Sequence, residues 1–285
     1  MNALQLEILD IYKVVKKICD DNNLRYFALG GTCIGAIRHR GFIPWDDDMD
    51  LIMPRKDYDL FIKIANRELP DHIELFDGSR SLHCDFPFLK VHNSKTTFVS
   101  SLVKEFPDSY TGVHVDIMPF DGVPPSGIAR KYYTRSIELL NHFSNRRKFG
   151  YYAVPEDVRH KLLYRLSLQY FKINHPNHAM NLLKLLVRTC RYDNSRSLIF
   201  SWFHHINGMI FNKTDFEDCV EVPFEDTVVR VPKGYDNYMR TQFGDYMSLP
   251  PEHEQVGSHQ QGSIVDLHRS YKLYAKDLDE SANRK

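Results

Sequence analysis

The stretch from Leu29 to Pro54 reads LGGTCIGAIRHRGFIPWDDDMDLIMP, and the rest of the chain is interpreted around it. It places the glycine pair Gly30-Gly31 where a strand should turn into a helix. Four aspartates then follow within five positions, from Asp46 to Asp50. Glycines let backbone amides approach an anion, and clustered carboxylates can hold a divalent cation. The stretch therefore predicts a site for phosphate chemistry.

The four acids are not equivalent. From Asp48 to Met53 polar and apolar residues alternate with the period of a strand, so Asp48 and Asp50 should share a face that Asp47 does not. Two carboxylates on one face repel each other unless a cation lies between them. An acidic turn that merely caps the next segment would explain Asp46 and Asp47, but not acids that lead into a buried strand. We therefore predict that Asp48 and Asp50 bind Mg²⁺, with Mn²⁺ as the alternative cation.

A third ligand is expected from a later strand. Asp116 lies between Val115 and Ile117 in a segment with strand character, so its carboxylate should face the same sheet. We predict Asp116 as the third metal ligand and as a catalytic residue with Asp48 and Asp50, and Asp46 as a further candidate ligand. His114 shares the strand face of Asp116 and is expected to pack there.

Basic and backbone groups near the acids are candidates for binding a substrate. Gly30, Gly31 and Thr32 at the start of the helix should position phosphates, although a glycine pair can also be just a tight turn. Arg38 and Lys90 are predicted electrostatic clamps. The alternatives are a solvated helix face for Arg38 and an exposed edge strand for Lys90.

The composition is that of an ordinary globular protein. The chain has 285 residues, of which 42% are hydrophobic and 26% charged, and its formal net charge is zero, so no bulk charge favours a nucleic-acid partner. The first twenty residues contain charges that argue against a signal peptide, and no apolar run reaches the length of a membrane span. The five cysteines are scattered. We therefore expect reduced thiols and a cytoplasmic location.

The periodicity predicts an α/β (α+β) fold. An amphipathic N-terminal helix is followed by alternating strand and helix signals and then by several strands. The helix that begins at the glycine pair should end near Arg38, with Gly41 as its cap. The segments 86–92 and 96–100 are expected to pair as a hairpin. Together the elements predict a mixed sheet flanked by helices.

Composition also divides the chain into four segments. Residues 1–125 form the predicted catalytic core, 126–212 a mostly helical insert, 213–270 a return to the core and 271–285 a polar, frayed tail. From Ile128 to Arg191 there are thirteen Lys and Arg residues against three Asp and Glu. The basic amphipathic helices of this insert either lie on an anionic membrane surface or pack on the core with their cations in solvent, and we favour packing.

The order of these motifs resembles the core of the nucleotidyltransferase superfamily. More closely, the stretch from Gly30 to Asp50 is similar to the signature of the LicD family of phosphorylcholine transferases, which are related to fukutin-type transferases. The similarity continues at 88–91 (FLKV), 115–124 (VDIMPFDGVP), 231–235 (VPKGY) and 244–251 (GDYMSLPP). The segment 126–211 carries little that matches.

The resemblance implies a nucleotidyltransferase-like fold and a specific reaction. Family members move a phospho-alcohol from a CDP-activated donor to a sugar hydroxyl of a glycan, often lipid-linked, and release CMP. By this resemblance Asp48 and Asp50 would hold Mg²⁺ on the donor pyrophosphate. Asp116 would either complete the metal site or accept the proton of the acceptor hydroxyl. The resemblance implies that the transferred group is phosphocholine and that the acceptor is a cell-surface glycan precursor. It also implies that the reaction takes place at the inner face of the membrane.

Two other functions remain open from the sequence. A true nucleotidyltransferase would move the nucleotide half of the donor and release pyrophosphate. A non-catalytic module would bind a nucleotide or sugar on the same fold, although the complete set of acids argues against it.

Overall fold

The computed structural model describes residues 1–78, 81, 88–148, 162, 165–166, 169–170, 173–174, 177–201, 206–257 and 262–282. Its centre is a mixed sheet with strand order β1-β2-β6-β4-β3. The bounds are Phe27–Ala28 (β1), Asp50–Pro54 (β2), Ile73–Phe76 (β3), Leu89–Asn93 (β4) and His114–Gly122 (β6). Strands β2 and β6 are parallel, and the other neighbours are antiparallel. The predicted mixed α/β architecture is therefore confirmed.

Strand β6 is the longest of these strands and joins two parts of the sheet. Its first half pairs with β4, and its last two residues pair with β7 (Ser197–Ile199), which in turn pairs with β8 (Ile210–Asn212). Both short strands lie inside the segment 126–212 that we expected to be mostly helical. The sheet therefore receives strands from the insert before residue 213.

Three helices of the N-terminal part pack on the sheet. Helix α1 (Ala3–Asp21) buries the apolar stripe that predicted it. Helix α2 (Gly30–Ile34) continues as a π-helical turn (Gly35–His39), and α3 (Arg55–Glu68) follows β2 directly. The predicted cap is wrong by one position, because Arg40, with φ of 56°, is the left-handed residue that ends the helix.

The predicted hairpin between 86–92 and 96–100 is wrong. The described strand β4 pairs with β3 and β6, whereas β5 (Thr97–Val99) pairs with β11 (Ile264–Asp266). Residues 86 and 87 lie outside the described part of the chain. Strand β5 thus leaves the main sheet to join a C-terminal strand that local patterning does not reveal.

The insert is built on helices α4 (Ile128–Lys148) and α5 (His178–Val187). Tyr133 and Ile137 of α4 and Leu183 of α5 form a small core with Ile199 of β7. This packing agrees with the interpretation that we favoured for the basic helices. The predicted helical region between them falls mostly outside the described residues.

The C-terminal part returns to the core through a hairpin and a helix. The hairpin is β9 (Cys219–Phe224) with β10 (Thr227–Pro232), and the helix is α6 (Tyr235–Phe243). Phe224, Val229 and Val231 of the hairpin belong to the main hydrophobic core.

The expected frayed tail at 271–285 is wrong for most of its length. Helix α7 runs over Tyr271–Ala282, and the Tyr271 amide donates to the Thr96 carbonyl over 2.9 Å. The Tyr271 hydroxyl and the Lys272 ammonium both donate to Glu74, at 3.0 and 2.6 Å. Polar residues here make specific contacts, which composition alone does not distinguish from solvation. Among the described helices, none combines the length and apolarity that crossing a membrane requires.

Candidate active site

The acidic residues 46–48 form a loop that leads into β2, and α1 holds this loop in place. The buried side chain of Gln5 donates from Nε2 to the carbonyls of Ile43 at 3.1 Å and Asp46 at 3.0 Å. Sequence reasoning missed Gln5. The signal was available, since an amide next to the buried stripe of an amphipathic helix needs a polar partner.

Two glycines leave room for the carboxylates of this loop. A Cβ on Gly31 would lie 2.8 Å from Oδ2 of Asp46, and a Cβ on Gly257 would lie 2.6 Å from Oδ2 of Asp47. Any larger residue at either position would therefore displace a carboxylate. Gly257 was also missed, because only the fold brings a residue more than two hundred positions away against this loop.

Three acids of the loop form a compact group. One carboxylate oxygen from each of Asp46, Asp47 and Asp48 lies within 4.8 Å of the other two. Strand β2 begins only at Asp50, so the alternation that should turn Asp47 away does not extend to it. Asp47 is buried and its neighbours are partly exposed. The loop thus gathers acids that we had expected to point in different directions.

The remaining predicted residues form a row across three adjacent strands. Asp50 of β2 is opposite Asp116 of β6 in the parallel ladder, and Asp116 is opposite Lys90 of β4 in the antiparallel one. The Lys90 ammonium donates to both carboxylate oxygens of Asp116, at 2.8 and 3.0 Å. Lys90 lies on an inner strand with its side chain 12% exposed, so the edge-strand alternative is wrong.

His114 completes the surroundings of Lys90. Its Nδ1 lies 3.0 Å from the Gly112 carbonyl and its Nε2 lies 2.8 Å from the Lys90 ammonium. A carbonyl only accepts and an ammonium only donates, so the neutral tautomer with its proton on Nδ1 satisfies both contacts. His114 therefore holds Lys90 in position, in addition to the packing predicted for it.

Carboxylates this close shift one another's titration. Burial, together with the charges of Asp48 and Asp116, raises the pKa of Asp50 well above its usual range, and Lys90 opposes that shift. Burial and the charge and hydrogen bond of Asp48 raise the pKa of Asp46 to about 8. Uncompensated negative charge of this kind favours binding of a cation, which displaces the protons.

The donors suit a hard divalent cation. All the available ligand atoms of the loop and of Asp50 are carboxylate oxygens, as Mg²⁺ and Mn²⁺ prefer. Asp46, Asp47 and Asp48 are close enough to one another to share an ion. Asp116 is already neutralised by Lys90. In the predicted set, Asp50 begins β2, Asp48 lies just before that strand and Asp116 is opposite Asp50 on β6. The role of these three residues as a ligand set stays a prediction.

The glycine pair is placed where it was expected, but two of the polar groups at this helix start are already bonded. Gly30 has φ of +52°, and its amide donates to the Tyr238 hydroxyl at 2.9 Å. The buried Thr32 hydroxyl accepts the Asp50 amide at 2.9 Å. Both contacts tie the start of α2 to the site, and phosphate positioning by this helix start stays a prediction. Tyr238 was missed because this contact spans most of the chain.

Arg38 is neither a solvated side chain nor directed at the acids. Its Nη1 donates to the carbonyls of Tyr246 at 2.7 Å and Ser248 at 2.9 Å, and burial lowers the pKa of its guanidinium. Arg38 therefore anchors the C-terminal segment near the site. Its predicted role as an electrostatic clamp on a substrate stays a prediction.

Comparison with known proteins gives the context of this site. Residues 23–142, which contain Asp46 to Asp50, Lys90 and Asp116, match the family described as LicD/FKTN/FKRP, nucleotidyltransferase domain. The chain is 29% identical over 268 residues to the lipopolysaccharide cholinephosphotransferase LicD of Haemophilus influenzae, covering 92% of this chain and 96% of that protein. It is also 30% identical over 112 residues to the uncharacterised protein RT0683 of Rickettsia typhi, covering 36% of this chain and 35% of that protein. The resemblance predicted from the sequence is confirmed, over residues 23–142 by the LicD/FKTN/FKRP family and over most of the chain by the Haemophilus influenzae protein.

Proposed function

We propose that this protein transfers phosphocholine from CDP-choline to a hydroxyl of a lipopolysaccharide-type glycan and releases CMP, in a reaction that requires Mg²⁺. The observation that carries the proposal is the row of Asp50, Asp116 and Lys90 beside the acidic loop. The nearly end-to-end similarity to the Haemophilus influenzae enzyme supports the choice of phosphocholine and of the acceptor class.

The residues divide the chemistry between them. A Mg²⁺ ion held by Asp48 and Asp50 would neutralise charge on the donor pyrophosphate. Asp116 accepts the proton of the acceptor hydroxyl while that oxygen attacks the phosphorus of the phosphocholine group. The bond from phosphorus to the CMP oxygen breaks, and CMP leaves with the bonding electrons. Lys90 orients Asp116, because its ammonium contacts both carboxylate oxygens.

The acids provide the direct test. Asp48→Ala and Asp50→Ala should each abolish transfer from CDP-choline in the presence of Mg²⁺. Asp71→Asn, at an exposed acid in the turn after α3, should leave it unchanged. Choline transfer to a lipopolysaccharide acceptor at the wild-type rate by either alanine variant would refute the mechanism.

A second experiment separates phosphocholine transfer from nucleotidyl transfer. CDP-choline labelled in the choline methyl groups should place its label in the glycan, whereas donor labelled in cytidine should release it as CMP. Cytidine label in the glycan, with release of phosphocholine, would identify a nucleotidyltransferase. Failure of CDP-choline to bind in the presence of Mg²⁺, measured by calorimetry, would favour a non-catalytic module.

The proposed setting is the cytoplasm, at the inner face of the membrane. Cys19, Cys33, Cys190 and Cys219, the cysteines in the described residues, are unpaired, as expected in a reducing compartment. On α5 Leu185 is 65% and Leu182 39% exposed, beside Lys184. Such a face suits contact with an anionic bilayer. Co-sedimentation with phosphatidylglycerol vesicles that is lost in Leu182→Ser/Leu185→Ser would support this contact, and equal sedimentation would refute it.

A further inference from the structure

A cavity of about 630 Å³ lies beyond the last residue of β6, outside the acidic site. Its walls come from the loop Val123–Pro125, from Arg130 near the start of α4 and from the segment 189–196. Gly122, at the end of β6, follows Asp116 by six positions. At the rise of a strand this places the cavity roughly 20 Å from Asp116. The two sites are therefore at opposite ends of one strand.

The cavity is strongly positive. Arg130, Arg191 and Arg196 line it, and among the described residues its lining includes no Asp or Glu. In the part of the chain that the structure describes, none of these three guanidinium groups forms an ion pair. Arg130 is nevertheless fixed, since its Nε donates to the Pro124 carbonyl at 2.9 Å and Nη2 to the Ser197 hydroxyl at 3.1 Å.

Two acids in elements next to the cavity, Asp121 and Asp59, are already neutralised. Asp121 at the end of β6 is buried and receives two hydrogen bonds from Arg55, at 2.8 and 2.5 Å. Asp59 on α3 receives two from Arg188, at 2.6 and 2.9 Å. The charges of Arg55 and Arg188 are thus satisfied within the protein. Against the three arginines of the cavity, the segment 189–196 contains one acid, the exposed Asp193, so a positive charge remains that suits an anion.

The size and lining of the cavity indicate more than a bare anion. Its volume falls within the range of small-molecule sites, about 300 to 1,000 Å³, and exceeds what one phosphate fills. Val123 and Pro125 supply an apolar wall, and Thr189, Asn194 and Ser195 supply hydroxyl and amide groups. Guanidinium forks bind phosphate oxygens in pairs. Apolar and hydroxyl groups together suit the ring of a sugar.

We propose that this cavity binds a phosphorylated saccharide. Arg191 and Arg196 contact its phosphate together with Arg130, and the polar side chains contact its hydroxyls. Binding does not depend on the reaction at the acidic site. That the saccharide is a part of the acceptor remote from the accepting hydroxyl rests on the proposed function.

Cys190 provides a local measurement of binding. It is a partly exposed free thiol in the cavity lining, and Cys219, also free and partly exposed, lies outside that lining in the hairpin β9–β10. Glucose 6-phosphate should slow the alkylation of Cys190 by iodoacetamide and leave the alkylation rate of Cys219 unchanged. Peptide mass spectrometry measures both rates. Protection should require at least tenfold more glucose 6-phosphate in Arg191→Ala/Arg196→Ala, and no more in Arg67→Ala, a substitution of an exposed arginine on α3.

The other arms of this experiment identify the ligand and the site. Glucose or inorganic phosphate at the same concentration should protect Cys190 much less. Equal protection by glucose would refute the phosphate contact, and equal protection by inorganic phosphate would refute the saccharide. Asp50→Asn, in the acidic site, should not change protection. Loss of protection in Asp50→Asn, or none in the wild type, would overturn the proposal.

A transfer assay tests the link to the acceptor. In Arg191→Ala/Arg196→Ala the KM for the glycan acceptor should rise about tenfold, with the KM for CDP-choline unchanged. A change in the donor KM instead would refute the assignment to the acceptor. If no variant and no wild-type protein transfers phosphocholine, the proposed function fails, and the Cys190 measurement still decides whether the cavity binds a phosphorylated saccharide.

Discussion

Replacing Asp46 by asparagine should stabilise the protein when no divalent cation is present. The asparagine side chain would fill the same space and could still donate a hydrogen bond to Asp48, but it would carry no charge. The pKa of Asp46 is raised from 3.8 to about 8, chiefly by burial and by Asp48. Between these two values the unfolded chain is ionised at this position and the folded protein is protonated. The folded protein then binds the extra proton, so its stability falls as the pH rises through this window.

The magnitude follows from the width of the window. One group changes the free energy of unfolding by at most about 1.4 kcal/mol per pH unit. Asp46 is partly exposed, so solvent screens its charge. We therefore reduce the change in the free energy of unfolding by roughly half. This leaves about 2 kcal/mol at pH 7, or an increase in melting temperature of about 5 °C for a chain of this size. At pH 5 the difference should shrink to about 2 °C.

The assay is thermal unfolding with EDTA and with Mg²⁺. Wild-type protein should gain more from Mg²⁺ than Asp46→Asn, because the ion relieves a repulsion that the variant lacks. Asp71→Asn, a substitution of an exposed acid, should behave as wild type in both buffers. The reasoning is refuted if Asp46→Asn melts at or below the wild-type temperature in EDTA at pH 7, or if Mg²⁺ stabilises both proteins equally.

Three other substitutions probe the support of the site. Gly31→Ala should reduce transfer at least tenfold with a change in melting temperature of a few degrees at most, because the new Cβ would lie 2.8 Å from Oδ2 of Asp46 and move that carboxylate; unchanged kinetics would contradict this. Lys90→Met should lower the free energy of unfolding, measured with denaturant, by about 3 to 5 kcal/mol, since it leaves Asp116, 16% exposed, without its cation. Adding Asp116→Asn to Lys90→Met should recover part of this loss. Arg38→Ala should increase hydrogen exchange in the segment 244–250, whose carbonyls it holds, and equal exchange would show that this anchor is dispensable.

Local patterning was enough to predict that the segments that carry Asp50 and Asp116 are strands. It identified β2 and β6 as strands and placed Asp50 and Asp116 on them, because alternation is a property of a few neighbouring residues. It could not predict that Asp46, Asp47 and Asp48 form a group, since these residues precede the strand and obey no period. Nor could it show that Lys90 lies on an inner strand, which depends on the order of strands in the sheet.

Contacts between distant parts of the chain account for the rest. Tyr238 accepts the Gly30 amide, and Gly257 packs on Asp47, in each case across more than two hundred positions. The sequence offers no periodic signal for such pairs. A helix was also missed in the C-terminal tail, where Tyr271 and its neighbours supply the contacts that order a polar segment.

The register of β2 on β6 is the feature on which the active site depends most, and the structure fixes it at both ends. At one end Asp50 is opposite Asp116, and at the other Pro54 is opposite Phe120. The next residues along the two strands, Arg55 and Asp121, form the buried bidentate ion pair. A slip of one residue would turn Asp50 away from the acidic face and at the same time leave a buried charge unpaired, at a cost of about 3 to 5 kcal/mol. The ion pair at the far end of the two strands therefore favours the register in which Asp50 and Asp116 are opposite each other.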